Sequence, residues 1–410
     1  MSASPDLGLE VWSWRETFTP LLWTISFIFF GLLALSFPRR FHTSSSLTLI
    51  TLSVVLAIAT SEDLFPDEFV TVIYWRFCII YIAHIFFLLC SRKSQSNVRG
   101  VSDGQPWLRG YKLLFNPRGI RTTWESPDTL ATSTSHQSPD GRKTGRRLAM
   151  VKRLAVLCFE ILVMSFYHEF FNTTVALYIR PMAADFTPEK VSIIRRSLLA
   201  LFRKNTDLTL AAIAREWMIR LWHMVDDHIS EVLWLTAYHD GFAIFFSGIL
   251  GLDSLDEWPP IFGSVSHAAT MRGFWAHFWH RLIYKSFSYH AGLLCTRVLR
   301  LRDRTVVRYA RNLAVFVLSG LMHAFVDWRR GAKCALSANM WYWSIQPLAF
   351  VLEDVMQYAW MRFLRPKPAT KTGRILLMGF ERTVGYAWVL IWLSWSYPKR
   401  RFQVIANCTI

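Results

Sequence analysis

The sequence predicts an all-α, polytopic integral membrane protein with about eight transmembrane helices plus interfacial amphipathic helices. Three observations carry this reading. Hydrophobic types make up 52% of the 410 residues and charged types 18%, the mean hydropathy is +0.24, and apolar runs long enough to cross a bilayer recur along the chain. Lys and Arg exceed Asp and Glu by 46 − 29 = +17, which on a membrane chain points to cytosolic loops facing anionic lipid and not to nucleic acid. The 19 Trp and 13 Tyr suit interfacial belts. The six Cys (Cys78, Cys90, Cys158, Cys295, Cys334, Cys408) form no CxxC pair, which argues against a disulfide scaffold and against a zinc site, and no metal is expected.

The first apolar run, Leu21 to Phe37, follows Asp6, Glu10 and Glu16 and is closed by Pro38-Arg39-Arg40. A cleaved signal peptide carries its positive charge on the other side, so this run reads as a retained first helix with a non-cytosolic N-terminus. The run from Leu47 to Thr60 leads into Glu62, Asp63, Asp67 and Glu68 with no base among them, a lumenal loop. Phe69 to Cys90 closes a three-helix membrane segment over residues 1–90. From Arg92 to Arg153 thirteen bases face four acids, which makes 91–153 a cytosolic loop by the positive-inside rule; its part from Ser126 to Arg147 has no apolar period and is expected to be flexible. Residues 154–252 read as membrane and interfacial helices. Leu154 to Phe171 spans, Val191 to His228 looks amphipathic and interfacial, and Val232 to Leu252 spans again. The region 253–410 adds Leu313–Trp328, Met340–Met361 and Ile375–Trp395, although Arg329, Arg330 and Lys333 then fall on the lumenal side against the charge rule. The sequons at Asn172 and Asn407 are glycosylation candidates.

Chemistry concentrates in two places. From Met271 to Arg281 the sequence reads Met-Arg-Gly-Phe-Trp-Ala-His-Phe-Trp-His-Arg. As a helix this sets Trp275 and Trp279 one turn apart, with Arg272, His280 and Arg281 elsewhere on its surface. An interfacial anchor explains such a composition, and so does a site offering bases and imidazole to a polar ligand. The second place is His323, the single His of an apolar helix, with Asp327 one turn further on. An ionisable side chain at membrane depth marks a functional site by default, and neutral imidazole accepts protons near pH 7; the bland alternative is a hydrogen bond to a neighbouring helix beside Ser319-Gly320. Glu353 either lines a cavity or partners Arg362.

The string Trp258-Pro259-Pro260-Ile261-Phe262-Gly263, then Arg272-Gly273-Phe274-Trp275 through Trp279-His280-Arg281, then Ser319-Gly320-Leu321-Met322-His323, then Glu353, resembles the wax synthase-like branch of the membrane-bound O-acyltransferases. The upstream Leu114-Phe115-Asn116-Pro117-Arg118-Gly119-Ile120 and Trp124 are similar to that branch's cytosolic loop. Between the two Trp, where relatives commonly carry Gly-Arg-Arg or similar, this chain has Ala276-His277-Phe278. The resemblance is strong from Trp258 to Asp354, and within that branch the chain is similar to fungal O-acetyltransferases of terpenoids and other secondary metabolites. It implies a catalytic region over 253–410 in the endoplasmic reticulum membrane. Acyl-CoA, favoured as acetyl-CoA, would be a co-substrate and not a tightly bound cofactor, and a small hydrophobic alcohol would be the acceptor, in the company of other biosynthetic enzymes. His323 falls on the family's intramembrane His, the general base, and His280 on the position that orients the acyl group or serves the oxyanion. Trp275, Trp279, Arg272, Arg281, Lys285 and Glu353 become candidates for binding substrate or coenzyme A. A long-chain wax or sterol ester synthase, and a non-catalytic lipid or solute carrier, are the competing expectations.

Overall fold

The computed structural model describes residues 14–38, 43–62, 64, 68–91, 98–102, 104–125, 143–202 and 209–407, and no strand occurs among them. The chain divides into two compact units, 1–125 and 126–410. Among the described cysteines, Cys78, Cys90, Cys158 and Cys295 are free thiols and Cys334 is disulfide-bonded. The acid loop at Asp63 and Asp67 and the linker from Ser126 to residue 142 lie outside the described residues.

The first unit is built from α1 (Trp14–Ser36), α2 (Thr43–Ala59), α3 (Glu68–Cys90) and the short α4 (Pro106–Leu114). Several polar side chains inside it are satisfied locally, as a low-dielectric interior favours. Tyr81 donates to the carbonyl of Phe27 at 2.7 Å, and Trp75 to Ser61 at 2.9 Å. His84 bonds the carbonyl of Leu113 at 3.0 Å, tying α3 to α4. The Asn-Pro-Arg-Gly-Ile motif after α4 is a compact turn. Asn116 accepts from the Ile120 N–H at 2.8 Å and donates to its carbonyl at 2.7 Å. Gly119 has φ +71° and lies under the Trp124 ring, where a Cβ would overlap the indole, so both its conformation and its lack of a side chain are required.

The second unit runs through α5 (Lys143–Phe166), a π-helical turn at Tyr167–Asn172, α6 (Thr173–Ile179), α7 (Ile193–Phe202) and α8 (Leu210–Ile244). After a long loop come a single turn α9 (Met271–Gly273) with its π-helical continuation Phe274–Phe278, then α10 (Tyr284–Leu293), α11 (Arg304–Arg329), α12 (Ala335–Ala359) and α13 (Lys371–Asn407). Helices α11 and α12 form an antiparallel pair. Gly320 lets them approach closely, since a Cβ there would stand 3.1 Å from the Trp343 Cβ. The core gathers Met224 of α8, Ala268, Met271 and Phe274, Ala349 and Phe350 of α12, and Val389, Trp392 and Leu393 of α13. The segment around Met271 is thus wedged among three helices.

The helix count departs from the expectation of about eight spans. Among the described residues five helices are long and apolar enough to cross a membrane: Phe18–Ser36, Val70–Cys90, Leu210–Ile249, Arg304–Arg329 and Lys371–Gln403. Thr43–Ala59 is a shorter apolar helix. The expected spans at 154–171 and 340–361 are helical, as parts of α5 and α12, but fall outside these five. The largest difference lies at Val191 to Leu252. An interfacial helix followed by a separate span was expected; α7 is followed instead by one helix continuous from Leu210 to Ile249. In its charged first half Arg215 and Glu216 find partners that lie before the helix. Arg196 meets Glu216 through two hydrogen bonds, at 2.9 and 2.6 Å, and Arg215 grips Asp185 at 2.6 and 2.9 Å. Asp185 also takes Lys190 at 2.9 Å and the Met182 N–H at 2.9 Å. Burial alone would raise the Asp185 carboxyl, but Arg215, the Met182 N–H and Lys190 outweigh it and hold the group well below the usual carboxylate range.

Candidate active site

The loop before α9 and the turn after it form one braced unit. Thr270 caps the turn, accepting from the Gly273 N–H at 2.9 Å. Glu353 of α12 reaches the same N-terminus. One carboxylate oxygen accepts the Met271 N–H and, at 2.9 Å, the Trp388 indole N–H; the other accepts the Arg272 N–H at 3.2 Å. A carboxylate is the side chain suited to a cluster of free amides at a helix start. Among the described residues Glu353 does not pair with Arg362; it clamps the aromatic turn to α12 and α13. On the far side Gly263 donates to the Phe278 carbonyl at 2.8 Å, and a Cβ at Gly263 would overlap the backbone of His277. This accounts for the glycine that closes the Trp258-to-Gly263 string.

The regular helix expected over Met271 to Arg281 is not what forms. The π-helical turn ends with Trp279 donating to the Phe274 carbonyl at 2.7 Å, and the Trp279 backbone is already extended, with ψ 150°. His280 therefore leaves the turn and does not continue it. Trp275 and Trp279 still pack together, ring centres 5.9 Å apart. Trp275 also meets Phe316 at 5.7 Å and Trp343 at 5.5 Å. His323, on α11, stacks on Trp343 with centres 4.8 Å apart and planes 13° from parallel. His280 stands against Trp279 at 5.6 Å and Phe262 at 5.8 Å. The two histidines thus belong to one continuous aromatic cluster, with Trp343, Trp275 and Trp279 between them.

The basic candidates do not join that cluster as a group. Arg272 is half exposed, pairs with Asp354 at 2.7 Å and lies over Phe350. Arg281 covers the Tyr284 ring at 4.7 Å, and Lys285 is a half-buried residue of α10. Asp327 accepts from Asn339 at 2.8 Å and from Arg400 at 3.2 Å. Tyr397 donates to Asp227 at 2.7 Å, so a polar layer joins α8, α11, α12 and α13 about one turn beyond His323. His228 was not anticipated. Its Nδ1 lies 2.7 Å from the Met224 carbonyl, and its ring meets Trp279 at 5.3 Å and Tyr397 at 5.1 Å. In sequence it sits behind Asp226 and Asp227 in the stretch read as interfacial, and nothing local marks it. Asn172 lies in the π-helical turn after α5, where its Oδ1 accepts from Trp222 at 2.9 Å. Asn407 ends α13, and the rest of its sequon is outside the described residues. No group of three His, Cys, Asp or Glu side chains arranged to hold a metal ion occurs among the described residues.

Residues 258–351, the stretch that carries the braced turn, the aromatic cluster and His323, match the family described as the Membrane bound O-acyl transferase family. The resemblance read from the Trp258-to-Asp354 motifs is thereby shown over that segment. Among curated proteins the chain is similar to fungal acetyltransferases. Acetyltransferase ataH of Aspergillus terreus is 32% identical over 176 residues, covering 42% of this chain and 55% of its own length. Acetyltransferase atnC of Arthrinium sp. is 28% identical over 303 residues, 71% of this chain and 62% of its own. Acetyltransferase TRI7 of Fusarium sporotrichioides is 26% identical over 297 residues, 70% and 61% respectively. The chain thus spans between about half and two thirds of the length of these relatives. No solved structure matches it.

Proposed function

We propose that this protein is a membrane O-acyltransferase that moves an acetyl group from acetyl-CoA to a hydroxyl of a hydrophobic secondary metabolite such as a terpenoid, in the endoplasmic reticulum membrane. One observation carries the reading: within the family-matching segment, His323 is stacked into an aromatic cluster built on Trp343, Trp275 and Phe316. A thioester is already activated, so the barrier lies in deprotonating a weakly acidic hydroxyl and in holding the charge of the tetrahedral intermediate. His323 takes the hydroxyl proton. His280, beside Trp279, orients the acyl group. Coenzyme A is a polyanion and is met by bases at the cytosolic mouth, of which Arg272, Arg281 and Lys285 are the nearest to the aromatic turn in sequence.

The acetyl preference rests on the relatives' names and on the size of the cluster. Phe316 and Trp343 pack at 6.3 Å next to His323, whereas Trp341 turns to Trp395 and Phe325 to Trp328, so only part of the bulk flanking His323 in sequence is gathered there. A long-chain donor gains about 0.8 kcal/mol per buried CH₂ and needs an apolar tunnel for it. The experiment is to incubate membranes containing the protein with radiolabelled acyl-CoAs and a panel of hydrophobic alcohols. Acetyl-CoA is expected to be used at least roughly tenfold more efficiently than palmitoyl-CoA, about 1.4 kcal/mol in transition-state binding. Preference for palmitoyl-CoA would favour a wax or sterol ester synthase, and no ester with any donor would favour a carrier.

A further inference from the structure

The aromatic cluster around His323 contains polar groups that the protein itself leaves unsatisfied. The indole N–H of Trp343 and that of Trp275 are both buried and have no hydrogen-bond partner among the described residues, and the same holds for the hydroxyl of Ser319. Trp343 is 8% exposed and Ser319 3% exposed. Other buried indoles, such as those of Trp75, Trp388 and Trp392, find partners in Ser61, Glu353 and Gln346, and the Trp124 indole, in the first unit, is the one further buried indole left without one among the described residues. A buried donor without a partner is costly, and most folds avoid it. Here three such groups meet at one place. Trp343 and Trp275 are in ring contact, Trp343 is stacked on His323, and Ser319 lies four residues before His323, on the same face of α11.

An indole N–H only donates, so whatever satisfies it must present an acceptor oxygen. The stacking decides which oxygen. Because the indole and imidazole planes are nearly parallel, the Trp343 N–H, which lies in its ring plane, runs parallel to the imidazole and not towards it. The hydroxyl that gives its proton to His323 must lie near the imidazole plane, at a ring nitrogen. An oxygen held by Trp343 is therefore displaced from it by roughly one stacking distance, as the carbonyl oxygen of an acyl group under attack would be. Resting on the acyl-transfer reading, we propose that the indole N–H groups of Trp343 and Trp275 are the donors that receive the thioester carbonyl oxygen and hold its negative charge in the tetrahedral intermediate. As the alcohol oxygen bonds to the carbonyl carbon, its proton passes to His323 and the carbonyl π pair moves onto the oxygen between the two indoles. That pair then re-forms the carbonyl, the carbon–sulfur bond breaks, and the departing thiolate of coenzyme A takes the proton from His323.

The test removes the N–H and keeps the ring. Trp343 replaced by benzothienylalanine, which has sulfur in place of the indole nitrogen, preserves the stack on His323; Trp343→Phe serves as a second variant, and each is followed by thermal unfolding in detergent. With acetyl-CoA and an accepted alcohol, the sulfur isostere is expected to accumulate and unfold like the wild type, to keep both KM values, and to lose about a hundredfold or more in kcat. The isostere at Trp275 is expected to lose kcat with the same unchanged KM. A wild-type kcat in both isosteres overturns the assignment, as does a rise in KM for the alcohol with kcat unchanged, which would place the N–H on the acceptor hydroxyl. Absence of ester from the wild type in the same assay overturns the acyl-transfer reading itself and this assignment with it.

Discussion

Replacing Glu353 separates a positioning carboxylate from a proton-transfer one. Its side chain is 6% exposed and serves three donors, the N–H groups of Met271 and Arg272 and the Trp388 indole. Glu353→Ala leaves all three buried without an acceptor. At about 1–3 kcal/mol for each group so abandoned, the loss is roughly 3 kcal/mol or more. Glu353→Gln keeps one oxygen for Met271 and Trp388 but turns an NH₂ towards the Arg272 N–H, at a cost of about 1–3 kcal/mol. The neighbouring Arg272–Asp354 pair is half exposed, so Arg272→Ala is expected to cost at most about 1 kcal/mol. Thermal unfolding of the purified protein in one detergent should therefore order the variants Ala, Gln, Arg272→Ala and wild type from least to most stable. Turnover should rise from Glu353→Ala through Glu353→Gln to the wild type, because the clamp fixes the turn that carries Trp275 and Trp279. The pH profile of the surviving activity should keep its shape. A Glu353→Gln protein that melts like the wild type, turns over nothing and has lost one limb of that profile would make Glu353 a chemical group and refute the clamp.

Two further outcomes follow from the charges. Asp185, held below its ordinary carboxylate range by Arg215, the Met182 N–H and Lys190 against the opposing effect of burial, contributes stability that is fully present above its unfolded value near 4 and is lost as pH falls through its lower folded value. Asp185→Asn should be less stable than the wild type at pH 7, and the gap should narrow below about pH 4, as followed by unfolding across pH; a gap independent of pH would show that the ion cluster is not its source. The second concerns orientation. Arg153 bonds Asp240 at 2.6 Å and the Trp258 carbonyl at 3.1 Å, and Arg365 pairs with Glu381. The excess of bases over acids from Arg92 to Arg153 is what the positive-inside rule would place in the cytosol. Protease added to sealed, cytosol-side-out microsomes should cut between Ser126 and Arg147, and protection there would reverse the orientation.

The helical class was legible because apolar runs of bilayer length have few other folds open to them. The ordered motifs from Trp258 to Glu353 were legible for a different reason. Each is a packing demand: Gly263 for the close approach to His277, Gly320 for the α11–α12 crossing, Glu353 for the free amides of the turn. What escaped the sequence were effects of distant partners. The charges at Arg215 and Glu216 looked interfacial because Asp185 and Arg196, which neutralise them, lie before the helix. The π-helical turn and the extended Trp279 are set by Gly263 and Glu353 from outside, so helical spacing misplaced His280. His228 and Trp343 acquire their place only when α8 and α12 close on the turn. The side-chain partner of Arg272 was likewise invisible, since Asp354 is eighty-two residues away.

The central claim is that His323 takes the acceptor's proton, and one comparison tests it most directly. Microsomes with matched amounts of wild-type protein and His323→Ala are given radiolabelled acetyl-CoA and an alcohol that the wild type acetylates, and the initial rate of ester formation is measured. Loss of a general base is expected to lower that rate about a hundred- to ten-thousandfold with accumulation unchanged, and His280→Ala to lower it less. Ester formed by His323→Ala at the wild-type rate would contradict the account.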